Sequence, residues 1–218
     1  MVALPDGTFM IMNGAHMGVA GFGLGSDPNL SALLYDPSQP VGSRISILGT
    51  TTIARMYHSE ATLLGDGSVL ISGSDPETPG LPEELRIEKY IPPYLNSGLT
   101  QPSYTITNKD WSYGQTVQIT VTLHQGTTAG MRVSLIGATS STHGNTMGGR
   151  TLFPAFTCNG NVCTITAPPN ANVSPPGWHQ LFILDGPTPS HSTFVRIGGD
   201  PGGIGAWPAL PGFNPPGV

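Results

Sequence analysis

Two stretches of this chain repeat one another. Leu4-Pro5-Asp6-Gly7 leads into Phe9-Met10-Ile11-Met12-Asn13-Gly14, and about 60 residues later Leu64-Gly65-Asp66-Gly67 leads into Val69-Leu70-Ile71-Ser72-Gly73. In each, a strand ends at an Asp-Gly turn and an apolar strand follows until a glycine stops it. A recurring hairpin of this kind suggests propeller blades, units that bury their faces only by stacking on neighbours. Ala32-Leu33-Leu34-Tyr35-Asp36-Pro37 is expected as the outer strand of the first blade and Leu85-Arg86-Ile87-Glu88-Lys89-Tyr90 as its equivalent in the second. Pro92-Pro93 then ends the sheet, because proline donates nothing to a ladder. Less than two blades are accounted for, against the roughly four to eight that close a propeller.

Beyond the prolines the pattern changes. Strand candidates fall at about 103–107, 115–123, 131–138, 151–157, 161–167, 177–184 and 193–197. Gln115-Thr116-Val117-Gln118-Ile119-Thr120-Val121 alternates with the period of two that a half-buried strand requires. About a hundred residues carrying such strands read as an immunoglobulin-like sandwich. The 30 glycines and 22 prolines, with only 10% charged residues, fit short strands and tight turns rather than helices. From Gly199 onward Gly and Pro dominate, and Trp207 and Phe213 are expected to hold an irregular tail against the surface.

A net charge of −5 with eight Lys plus Arg leaves no basic footprint for nucleic acid or an anionic membrane. No apolar run is long enough to span a bilayer, and no basic-then-apolar leader precedes the first strand. Met1 opens directly onto Val2-Ala3-Leu4-Pro5-Asp6-Gly7, the middle of a repeat, so the natural amino terminus is expected elsewhere. Asn29-Leu30-Ser31 and Asn172-Val173-Ser174 are acceptor sequons, the second disfavoured by Pro175. Cys158 and Cys163 flank Asn159-Gly160-Asn161-Val162, which reads as a hairpin turn. Partners across such a turn lie within disulfide reach, which favours a disulfide over two thiols and an oxidising, secreted setting.

Three side chains stand out for chemistry. Tyr57 and His58, within Arg55-Met56-Tyr57-His58-Ser59, sit where an inner blade strand begins; His143 lies in a polar loop between sandwich strands, 85 residues after His58. Two imidazoles and a phenolate oxygen suit a tetragonal copper(II) ion. Taken alone, such a set reads more simply as structural, and adjacent residues on a regular strand point to opposite faces. Tyr57 and His58 must therefore occupy irregular backbone if both bind one ion. His124, His179 and His191 are most simply surface or strand residues. Trp178 and Phe182 are expected on the core face of a late strand, and Trp111 in packing rather than under a sugar.

The chain resembles the copper radical oxidases, which include galactose oxidase and fungal glyoxal oxidase. The likeness rests on the Leu-Pro-Asp-Gly blade signature, Arg55-Met56-Tyr57-His58-Ser59, Glu88-Lys89-Tyr90-Ile91-Pro92-Pro93-Tyr94-Leu95, Thr142-His143 and Pro175-Pro176-Gly177-Trp178-His179-Gln180-Leu181-Phe182. The resemblance implies an all-β chain made of the last blades of a kelch-like seven-bladed propeller (1–98), an early-set immunoglobulin-like sandwich (99–198) and a tail (199–218). It implies that Tyr57 is an axial, catalytic tyrosine and that His58 and His143 are equatorial copper ligands. It further implies a secreted oxidase of small aldehydes such as glyoxal and methylglyoxal that reduces O₂ to H₂O₂ with copper and a tyrosyl radical. That radical belongs to a tyrosine crosslinked to cysteine, and no position here matches it. The crosslink is expected in upstream blades of the same polypeptide, so the isolated chain is expected to be inactive.

Antiparallel inner strands bring the segment from Gly14 to Gly23 to the face that holds Tyr57. His16 and Phe22 are thereby candidates for the substrate rim, with an ordinary loop position the simpler reading of His16. Two competing classes are a non-catalytic secreted module that binds carbohydrate or protein through its sandwich and a fragment with no independent role.

Overall fold

The computed structural model describes residues 1–77, 80–147 and 149–200. The expected packing of Trp207 and Phe213 lies outside these residues. Among those described, every regular element is a β-strand.

The first blade-like sheet is antiparallel, with Val2–Ala3, Phe9–Ile11, Ser31–Tyr35 and Ile45–Thr50 as successive neighbours. Ser31–Tyr35 is thus the third strand, and the expectation that it forms the outer edge is corrected. Asp36 turns the chain back, its carboxylate accepting from the Ser38 amide and hydroxyl, so that Ile45–Thr50 adds outside it. The second sheet runs Glu60–Leu63, Val69–Ser72, Glu88–Tyr90. Its last strand is shorter than the expected 85–90, and the Arg86 carbonyl accepts from the Arg55 guanidinium.

Both Asp-Gly segments fold by one device. The Gly7 amide donates to the Leu4 carbonyl and the Gly67 amide to that of Leu64. Asp6 accepts from the amide and hydroxyl of Thr8, just as Asp66 accepts from those of Ser68. Each is a three-residue hairpin loop whose final glycine takes a left-handed conformation (φ 95° and 88°).

The sandwich pairs two sheets. One orders Ser103–Ile106, Thr116–Thr122, Val162–Thr166 and Phe156–Asn159. The other orders Asp110–Trp111, Thr193–Ile197, Gly177–Asp185, Arg132–Gly137 and Thr151–Leu152, with Thr188–Pro189 beside Gly177–Asp185. The single strand expected at 151–157 is therefore two strands in different sheets. Thr151–Leu152 pairs with Leu135–Ile136, and Phe156–Asn159 pairs across the turn with Val162–Ile165. Pro154 stands between them, where a strand interior would demand an amide donor. The disulfide joins Cys158 to Cys163, opposite one another in that second pair. Trp111 is 1% exposed and packs in the core between the sheets, with Val117, Ile119, Leu135, Leu181 and Val195.

Gly177–Asp185 is buried on both faces, which is why its sequence does not alternate. Leu181 and Ile183 face the sandwich core, while Phe182, wholly buried, joins Leu4, Met10, Leu63, Val69 and Tyr94 in a second core shared with the blade sheets. Trp178, expected on a core face, is 48% exposed, and the Arg196 guanidinium lies 5.7 Å from its ring centroid.

Polar contacts stitch the same junction. The Arg132 guanidinium donates to the Asp6 carbonyl, the Tyr94 hydroxyl to that of Gly67, and the Ser192 amide to that of Gly65. Both Asp-Gly turns are thereby docked on the segment that follows the prolines, which fixes the blade sheets against the sandwich. At the Asn29 sequon the amide nitrogen donates to the carbonyls of Asn13 and Ser31, so a glycan there would have to displace one of these bonds.

Candidate metal centre

Arg55 anchors the site. Its side chain is 1% exposed and its guanidinium donates to Glu88 Oε2 (2.9 Å), the Gly73 carbonyl (2.8 Å) and the Arg86 carbonyl (2.9 Å). A rigid fork of donors is what ties three segments to one point. From there the Met56 amide donates to Ser74 Oγ, and the amide and hydroxyl of Ser59 both donate to the Met56 carbonyl.

That last pair closes a turn whose two central residues are Tyr57 and His58. His58 has φ 62°, a left-handed value that favours glycine or asparagine. Irregular backbone at this point was the condition for both rings to share one face, and they do. The rings stack with centroids 4.0 Å apart and planes inclined by 26°. Gly73, at φ 73°, lies against the His58 carbonyl, where a β-carbon would come within 2.7 Å of the oxygen.

His143 arrives from the sandwich on a separate hairpin. Ser140–Thr142 pairs with Asn145–Met147, and the two-residue loop His143-Gly144 has φ 55° and 73°, the double left-handed turn that matches strand twist. The His143 ring lies 5.3 Å from that of His58 and 5.8 Å from that of Tyr57, centroid to centroid. Thr142 Oγ1 is 2.7 Å from Nδ1 of His143, which engages that nitrogen and leaves Nε2 for another partner.

The three side chains line one cavity of about 320 Å³ together with Met12, Ala15 and Met56. Phe22 packs edge-on to both rings of the turn, its centroid 4.9 Å from Tyr57 and 5.0 Å from His58. His16 falls between two lining residues, Ala15 and Met17, on the strand Ala15–Gly18 and does not itself line the cavity. Strand alternation turns it the other way.

Among the described residues no three His, Cys, Asp or Glu side chains gather as a metal cluster. The donors available here are two imidazoles and a phenol, a nitrogen and oxygen set that fits copper(II) better than a thiolate-seeking metal. A fourth residue went unnoticed in the sequence. Glu60, at the start of the strand after the turn, accepts from the Gly144 amide (3.0 Å) and the Ser141 hydroxyl (2.6 Å), both on the His143 hairpin. No sequence signal marks it, because the contact crosses 81 to 84 residues.

His179 is remote from this centre and 6% exposed. Burial lowers its pKa, and the only role open to the Gly177 carbonyl is acceptor, so Nδ1 carries the proton and Nε2 accepts from the Ser174 hydroxyl.

Comparison with known proteins gives a consistent result. The family described as glyoxal oxidase N-terminus matches residues 1–94, and that described as galactose oxidase-like, early set domain matches 101–197. A WSC domain-containing protein of Arthroderma benhamiae is 60% identical over 218 residues, covering 100% of this chain and 23% of its own length. An aldehyde oxidase of Arabidopsis thaliana is 35% identical over 213 residues (90% of this chain, 35% of that protein), and a galactose oxidase of Gibberella zeae is 28% identical over 202 (90% and 28%). The chain thus spans well under half the length of these relatives. A fungal alcohol oxidase solved in complex with copper superposes with a TM-score of 0.77 at 22% identity, over 90% of this chain and 41% of that one, which establishes the shared fold.

Proposed function

Since the chain belongs to the glyoxal oxidase and galactose oxidase-like family, we propose that Tyr57, His58 and His143 are three ligands of a copper centre in a secreted oxidase of small aldehydes. The observation that carries this reading is their convergence. Two come from a strained turn beside one sheet and the third from a hairpin of another domain, and all three rings meet at one cavity. Two histidines held at left-handed backbone positions are costly to keep without a use for the imidazoles.

In the proposed reaction a hydrated aldehyde gives two protons and two electrons to O₂, leaving a carboxylic acid and H₂O₂. When bound, copper would supply a one-electron redox partner for this reaction. His58 and His143 would hold it through ring nitrogens, His143 through Nε2 because Nδ1 is engaged by Thr142. Tyr57 Oη is the base that takes the substrate hydroxyl proton. Phe22, exposed and edge-on to the Tyr57 and His58 rings though not itself lining the cavity, is the residue we assign to the substrate rim.

The second electron requires a further redox group. Cys158 and Cys163 are the chain's two cysteines and are bonded to each other, so no thiol here is available to crosslink a tyrosine. The radical tyrosine is assigned to other blades of the complete polypeptide, and the 218 residues alone are assigned no turnover. The disulfide supports the secreted setting.

The test is a peroxide-coupled assay with glyoxal, methylglyoxal and galactose on the copper-loaded complete polypeptide and on the isolated chain. Activity of the complete protein on the two aldehydes, abolished by Tyr57→Phe or His143→Ala, is the expected result. Turnover by the isolated chain, or full activity of the His143→Ala variant, would refute it.

A further inference from the structure

We propose that Glu60 is the latch that positions His143 for the metal. This rests on the reading of Tyr57, His58 and His143 as one ligand set, and adds to it a residue that holds no metal itself.

Glu60 opens the inner strand that follows the Tyr57-His58 turn and pairs there with Ser72, so its backbone is fixed by the blade sheet. Its side chain reaches across to the sandwich. Oε1 accepts the Gly144 amide at 3.0 Å and Oε2 the Ser141 hydroxyl at 2.6 Å. Gly144 is the residue after His143 and Ser141 lies two before it, so the carboxylate grips the hairpin on both sides of the imidazole. Among the described residues, a further hydrogen bond between this hairpin and the blades joins Thr146 Oγ1 to the Met1 carbonyl, farther from His143.

The grip is needed because the hairpin is otherwise poorly tied. Among the described residues Ser140–Thr142 and Asn145–Met147 form a two-stranded sheet with no third strand, and His143, Gly144 and Asn145 are exposed. A lone two-stranded hairpin is marginal in water. A free carboxylate two residues from His58 could instead compete for the metal. With one oxygen on an amide and the other on a hydroxyl, Glu60 is committed to second-sphere positioning, where partners typically set affinity by tenfold to a hundredfold.

Glutamine keeps the length and one acceptor, and the Ser141 hydroxyl can rotate to accept from its amide. Aspartate is a methylene too short, and alanine removes both bonds. The experiment compares wild type, Glu60→Gln, Glu60→Asp, Glu60→Ala and His143→Ala in the complete polypeptide. It measures copper(II) affinity by competition titration, nitrogen hyperfine structure by electron paramagnetic resonance, and Gly144 amide exchange in the metal-free protein. Glu60→Ala and Glu60→Asp should lose about tenfold or more in affinity, show one ring nitrogen fewer as His143→Ala does, and exchange Gly144 faster. Glu60→Gln should stay within about threefold of wild type with both nitrogens.

If Glu60→Ala retains both nitrogens and wild-type affinity while His143→Ala loses one, the latch is refuted and the ligand set stands. If His143→Ala changes neither spectrum nor affinity, the ligand set itself is refuted. Should Glu60→Ala fail to fold, Glu60→Asp and Ser141→Ala decide: unaltered copper spectra and Gly144 exchange in both would overturn the latch.

Discussion

Arg55 Nε donates to Glu88 Oε2 at 2.9 Å across 33 residues, so the strand that closes the second blade sheet also fixes the residue two positions before Tyr57. Glu88 is braced in turn by the Thr51 hydroxyl at 2.7 Å. The first prediction follows from the loss of this fork. Arg55→Met should destabilise the protein by about 3 kcal/mol, near the lower end for removing one partner of a buried pair because Glu88 remains partly exposed and keeps Thr51. Arg55→Lys should recover less than half, since one ammonium cannot reproduce a fork. Urea denaturation measures both.

A second prediction concerns the shared core. Phe182→Ala should cost about 3–5 kcal/mol, because the ring is wholly buried among Leu4, Met10, Leu63 and Tyr94. It should also separate the unfolding of blade sheets and sandwich into two transitions by calorimetry. A single unshifted transition would count against the shared core.

The third concerns acid. His179 has its pKa lowered from 6.5 by burial, so the native state prefers the neutral ring. The sign is that of a depressed group: its contribution to stability is complete above 6.5 and is lost as pH falls below that value toward the folded pKa. Wild type should therefore lose more stability between pH 7 and 5 than His179→Gln, whose amide carries no charge to bury. Equal slopes in pH-dependent denaturation would contradict this.

The disulfide yields a fourth. The bond closes a loop of five residues' separation, so its removal in Cys158→Ser/Cys163→Ser should lower stability by about 2 kcal/mol, the small figure expected for a short loop. Copper affinity should be unchanged, because the bridge sits in the sheet of the sandwich away from the cavity. Denaturation and copper titration of the double variant check the two halves separately.

How much of this was legible in the sequence differs residue by residue. The repeated Asp-Gly segments announced two equivalent hairpins because their information is local: an acidic acceptor two residues before a Thr or Ser, and a glycine for the left-handed position. The alternation in Gln115–Val121 located a strand for the same reason. Tyr57, His58 and His143 were marked by motif, and the requirement that Tyr57 and His58 sit on irregular backbone followed from elementary strand geometry.

Tertiary structure alone decided the rest. Ile45–Thr50 became the outer strand through pairing, 151–157 split between two sheets around Pro154, and Trp178 was left half-exposed under the Arg196 guanidinium. His16 and Ala15 are adjacent in sequence, yet only Ala15 lines the cavity. Glu60 is invisible in the sequence and central in space. The physical reason is common to all of these. Turn chemistry and strand period are set by neighbours within a few residues, whereas the meeting of Glu60 with Gly144 exists only once Phe182 and its partners bury the face between sheets and sandwich.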